Sequence, residues 1–173
     1  SGNPSRARVR NLSPGTYYIV LESFSGTSFE LDVIASPPTV PVAVSGNDTC
    51  ETAHVIPTTG GLFTGTTATA LSDYETALCG SGARSNDVAF RLDLTESKRV
   101  IANTDGSAYD TVLHLHTNEC VSMEEEACND DGGEGAASRI ERVINPGTHY
   151  FIVDGWGDSR AGDYFFEVTL TDP

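Results

Sequence analysis

The chain has 173 residues, 25 acidic against 10 basic side chains and a formal net charge of −15. That balance excludes a nucleic-acid binder, which needs a Lys/Arg patch, and disfavours anionic membrane surfaces. No apolar run approaches the roughly 18 residues needed for membrane insertion as a spanning helix.

Taken in chain order, the sequence predicts short strands separated by turns. Residues 7–12 and 16–24 read as strands around the turn Ser13-Pro14-Gly15, where proline fixes φ. Phe29, Leu31 and Val33 alternate along a third strand. Residues 36–44, SPPTVPVAV, read as an extended proline-rich linker. A short cysteine-anchored helical turn is expected near Cys50. Strands follow at 61–70, 87–94, 99–104 and 110–117, and a hairpin tip at 123–126. An acidic, glycine-rich loop, ACNDDGGEG, then leads into a strand at Ser138 to Ile140. After the turn at Pro146-Gly147 come two alternating strands, one placing Tyr150, Ile152 and Asp154 on one face, the other Tyr164, Phe166, Val168 and Leu170. About eight strands at this spacing predict an all-β fold, an antiparallel jelly-roll-like β-sandwich.

The closing strands have an echo near the N-terminus. LSPGTYYIVLESFSGTSFELDV parallels INPGTHYFIVDGWGDSRAGDYFFEVTL, with Pro14-Gly15-Thr16 against Pro146-Gly147-Thr148 and Phe29 against Tyr164. Such self-similarity marks an internal repeat. The first copy lacks what precedes this unit in the second. The expected organisation is therefore a β-rich half-repeat over 1–35, a linker over 36–45 and a complete repeat over 46–173. No signal peptide is visible, so the chain reads as a mature or excised piece. Strands with apolar faces and open edges must be covered. The expected partners are neighbouring copies of the same chain or adjacent repeats, with strand addition leading to filaments.

Four cysteines and no CxxC or zinc-type histidine spacing point to disulfides and an oxidising, secreted or cell-surface location. Of the three pairings open to four cysteines, sequence proximity favours Cys50 with Cys79 and Cys120 with Cys128.

Several runs together resemble the bacterial pre-peptidase C-terminal domain. They are Asp110-Thr111-Val112-Leu113, Asn129-Asp130-Asp131, Ser138 to Ile140, Pro146 to Val153 and Gly162 to Val168. The opening Asn47 to Ala53 and Gly65 to Thr67 are similar to a cysteine-bearing variant of that family. The resemblance implies a β-sandwich carried by secreted proteases and other exported proteins. It implies an accessory or adhesive module; some relatives bind calcium, and collagenase relatives bind collagen.

Calcium takes six to eight oxygen ligands, which clustered Asp, Asn and carbonyl groups supply. Asp110, Asn129, Asp130 and Asp131 are the candidate Ca2+ ligands, against the plainer reading that they cap turns. Asp154, Asp158 and Asp163 form a second, weaker acidic group. His114 and His116 share a strand face and are expected to form a solvent-facing stripe. His149 aligns with Tyr17 and is expected at the surface. Trp156, Tyr150 and Tyr164 offer either a sugar-stacking platform or core aromatics. GxSxG, HExxH and phosphate-loop motifs are absent, so the reading is a non-catalytic module. Its work is either structural self-assembly or recognition of an extracellular polymer, a matrix polymer or carbohydrate.

Overall fold

The structure is a computed structural model that describes residues 7, 9, 12–22, 28–33, 39–76, 78–80, 84–120 and 125–173. It comprises two units, Ser1–Thr39 and Val40–Pro173. Among the described residues of the second unit are ten strands: β1 (Val42–Ala43), β2 (His54–Val55), β3 (Gly61–Thr66), β4 (Val88–Leu94), β5 (Lys98–Asn103), β6 (Thr111–Thr117), β7 (Glu125–Asp130), β8 (Arg139–Ile144), β9 (Gly147–Gly155) and β10 (Asp163–Thr171). They form two five-stranded sheets in the orders β1-β3-β10-β5-β8 and β2-β4-β9-β6-β7. From β3 to β10 every consecutive pair crosses from one sheet to the other, except the β6–β7 hairpin. That interleaving is the jelly roll. The two-residue strands β1 and β2 depart from the antiparallel expectation and pair in parallel, with β3 and β4 respectively.

Alternation builds the core. β4 turns Val88, Phe90, Leu92 and Leu94 inward, β9 supplies Phe151 and Val153, and β10 supplies Tyr164, Phe166 and Val168; all are buried. The aromatic rings interlock, with Phe90 4.6 Å from Phe166 and edge-on to Tyr164 at 5.9 Å between centroids. Tilted and edge-to-face contacts of this kind suit the ring quadrupole.

β6 behaves differently, because six of its seven residues are buried. Its inward side chains, Leu113 and Leu115, join the core. Its outward ones, His114 and His116, are 0 % exposed. The expected solvent-facing histidine stripe is thus buried. The cause is a covering layer: a single 3₁₀ turn, Cys50–Thr52, and the described loop residues 71–76, 84 and 85 lie on this outer face. Asp87 accepts the backbone N–H groups of Asp73 and Tyr74, and the Tyr74 hydroxyl accepts that of Cys50. His149, expected at the surface, is 3 % exposed, with Nε2 2.9 Å from the Asn145 carbonyl.

The disulfides pin this layer and cross the expected pairing: Cys50 bonds Cys120 and Cys79 bonds Cys128. The β6–β7 register explains the correction. It sets Cys128 opposite His114, six positions before Cys120, so the two hairpin cysteines do not face each other. Cys50 sits beside β4 and Cys120 follows β6, the two strands flanking β9, and their Cα atoms lie 6.2 Å apart.

Two further boundaries move. Val42–Ala43, inside the expected linker, form β1, and Val44 donates to the Thr64 carbonyl and packs on the core. Asn129 and Asp130, read as loop, end β7.

In the unit Ser1–Thr39 no described residue belongs to a strand, although three strands were expected there. Residues 1–6, 8, 10, 11, 23–27 and 34–38 of that region lie outside the described residues. Its described large apolar side chains are exposed, among them Tyr18 at 87 % and Val20 at 78 %.

Among the described residues no helix is long and apolar enough to cross a membrane.

Candidate metal centre

One end of the sandwich gathers carboxylates. Asp110 immediately precedes β6 and Asp130 ends β7; the antiparallel register, with Val112 opposite Asp130, carries the start of one strand to the end of the other. Asp131 follows in the left-handed conformation, φ 63°, which short polar side chains tolerate better than most. One oxygen each from Asp110, Asp130 and Asp131 lies within 4.8 Å of the others. Calcium–oxygen distances of about 2.3–2.6 Å put opposite ligands about 5 Å apart, so this span matches one ion. Oδ1 of Asp110 and Oδ1 of Asp130 are buried and accept no hydrogen bond. Burial, and then the charge of Asp131, hold both carboxyls above the usual carboxylate range. A hard cation relieves both effects at once.

Asn129 Oδ1 accepts the N–H groups of Gly132 at 2.9 Å and Arg139 at 2.7 Å, the turn-capping role. Asp105 does similar work, with Oδ1 receiving the N–H of Glu134 at 2.9 Å. The two glycines make this loop possible. A Cβ on Gly132 would meet the Asn129 side chain at 2.3 Å, and one on Gly133 would meet Asp105 Oδ1 at 2.6 Å. Beneath the loop, Thr104, Thr111 and Ser138 form a buried hydroxyl network, with 2.6 Å between the threonine oxygens. Three carboxylates therefore project from a rigidly bonded platform. An open cleft of about 370 Å3 beside them is lined by Ser107, Tyr109, Asp110, Glu134 and Arg160, among others.

The second acidic group does not assemble. Asp158 and Asp163 are exposed, whereas Asp154 is 0 % exposed on the covered face of β9. It belongs to a buried set that local patterning does not reveal. Asp154 Oδ1 accepts the Gly155 N–H at 2.6 Å, and its Oδ2 lies 3.8 Å from His114 Nε2. Burial raises the Asp154 carboxyl to about 7, and burial and the Asp154 charge raise that of Asp87 to about 8. Burial holds the His114 imidazole below its ordinary value. The aromatic candidates also separate: Tyr164 is a core ring, while Tyr150 packs on the outer face of the other sheet, so they form no shared platform.

These buried acids set a pH dependence. Between the unfolded carboxylate range and about 8, folded Asp87 and Asp154 hold protons that the unfolded chain has lost, so stability falls as pH rises. The neutral, buried His114 works oppositely, mainly below the ordinary histidine value. From pH 6.5 to 8.5 the two acids outweigh it. Thermal melts should show a lower midpoint at pH 8.5 than at 6.5, and Asp87→Asn should flatten the difference. An unchanged midpoint would mean that these carboxyls are ionised in the folded chain.

The sequence matches no protein-family model and no curated protein. Among solved structures, the chain is similar to the pre-peptidase C-terminal domain of a collagenase from Bacillus anthracis. The identity is 12 % and the TM-score 0.42, over 79 % of this chain and 100 % of that one.

Proposed function

We propose that the chain is a non-catalytic, exported β-sandwich module that is stabilised by calcium and does structural or adhesive work, assembling with copies of itself. The observation that carries the calcium reading is the convergence of Asp110, Asp130 and Asp131, with two buried oxygens lacking partners. All three donors are carboxylates, the ligand type of a hard cation and not of a thiophilic metal. Asp110, Asp130 and Asp131 would hold the ion. Two disulfides support an oxidising compartment. The exposed apolar segment at the N-terminus supports assembly.

A second reading, an accessory domain that holds a matrix polymer or carbohydrate for an exported enzyme, is favoured by the polar cleft beside Asp110.

Calcium at about 100 times its Kd should add about 2.7 kcal/mol to the stability if it binds only the folded chain. A melt with calcium against one with chelator reads that difference directly, and Asp130→Asn should remove it. Identical melts in both conditions would leave the three aspartates as turn formers.

A further inference from the structure

The covered face of the sheet β2-β4-β9-β6-β7 sets two acids in direct opposition. Val88 lies opposite Val153 in the β4–β9 register, which one step further places Asp87 against Asp154. Opposed side chains of an antiparallel pair have Cβ atoms about 4.5–5.5 Å apart. Both residues are 0 % exposed, and each keeps one buried oxygen, Asp87 Oδ1 and Asp154 Oδ2, without a hydrogen bond. Among the described residues no lysine or arginine forms a salt bridge with either. The titratable groups around them are Asp73 and Tyr74 from the loop, Tyr109 ahead of β6 and His114 on β6, with His116 and Glu125 beyond. None of these is a lysine or arginine, and burial keeps His114 neutral.

Asp87 is also the foot of the covering layer. Its Oδ2 accepts the N–H groups of Asp73 at 2.9 Å and Tyr74 at 3.0 Å, and its own N–H donates to the Leu71 carbonyl. The Leu71 N–H donates to Asp48 Oδ1, and the Tyr74 hydroxyl receives the N–H of Cys50. Beyond these contacts the layer is tied to the sandwich by the Cys50–Cys120 and Cys79–Cys128 bonds. Two like charges repel far more strongly in a dry interior than in water. Lifting 71–76 would hydrate both carboxyls while the β4–β9 ladder stays paired, and a local opening costs less than global unfolding.

We propose that residues 71–76 form a pH latch, held shut while Asp87 and Asp154 face each other protonated, and released on its disulfide tethers when they ionise. Release uncovers His114 and His116, both 0 % exposed in the closed form. Burial keeps the closed carboxyls protonated up to about 7 for Asp154 and about 8 for Asp87. Hydration in the open form returns them to the ordinary carboxylate range. The open form thus binds fewer protons, so opening becomes easier as the pH rises from that range through about 8.

Amide hydrogen exchange on the full chain tests the latch. Each proton released on opening changes the opening constant about tenfold per pH unit. Protection of Asp73 and Tyr74, corrected for intrinsic exchange, should therefore fall at least about tenfold per unit between about pH 5.5 and 7.5. Urea should barely affect that opening, because little surface is exposed. Phe90 and Leu113 should stay better protected, with the full urea dependence of unfolding. Asp154→Asn, which leaves the Asp87 contacts in place, should flatten the pH dependence at Asp73 and Tyr74. Should that variant fail to fold, carboxyl-carbon titration of the unsubstituted chain decides, with Asp87 and Asp154 expected to titrate well above the ordinary range. Protection independent of pH, opening with the same urea dependence as Phe90, or both carboxyls titrating in the ordinary range would each overturn the proposal.

Discussion

Replacing Cys50 and Cys120 together by alanine is expected to lower the unfolding free energy by about 4 kcal/mol. The bond closes a loop spanning 70 residues, and the entropy withdrawn from the unfolded chain grows with the logarithm of that length. The Cys79–Cys128 bond, spanning 49 residues, has nearly the same expected effect because the dependence is so shallow. Denaturant unfolding of each double replacement measures both. A peptide map without reduction should return Cys50 with Cys120 and Cys79 with Cys128. A map joining Cys50 to Cys79, or a loss below about 1 kcal/mol, would contradict the arrangement of the covering layer.

Phe166→Ala should have an effect of similar size, about 3–5 kcal/mol. Phe166 is 0 % exposed on the central strand of one sheet and meets Phe63, Phe90 and Phe151 from three strands of both sheets. Removing the ring takes away its own transfer free energy and leaves a cavity that rings fixed on neighbouring strands cannot collapse into. The midpoint of urea unfolding should fall while its slope stays constant, since the slope follows the surface exposed. A shift worth less than about 1.5 kcal/mol would place this ring at the margin of the core and not at its centre.

The fold was legible where one face of a strand meets the core. Val88, Phe90, Leu92 and Leu94, and again Tyr164, Phe166 and Val168, announce their strands by simple alternation. What alternation cannot report is what lies on the other face. His114 and His116 do share a face, but a disulfide-tied loop distant in sequence covers it. The same loop buries Asp87 and Asp154, which read in isolation as ordinary acidic residues of a highly charged chain. Cysteine proximity failed for a related reason: the jelly roll brings together strands far apart in sequence, while the hairpin register separates Cys120 from Cys128.

Of the candidate ligands, Asp110, Asp130 and Asp131 converge because they bracket the same hairpin, a relation that the sequence motif already held. Asn129, on β7 opposite Leu113, gives its oxygen to two backbone N–H groups of the loop, a contact that depends on the β6–β7 register. The N-terminal segment shows a converse limit. Its strand pattern is as clear as that of β9, yet pattern alone supplies no neighbour, and its described residues form no strand.

Calorimetric titration of the full-length chain with calcium tests the central claim most directly. One ion per chain should bind, with Asp130→Asn abolishing the heat. Because Asp110 and Asp130 hold their protons above the usual carboxylate range, affinity should weaken as the pH is lowered towards that range. No heat at any pH, or an unchanged isotherm for Asp130→Asn, would contradict a calcium-stabilised module.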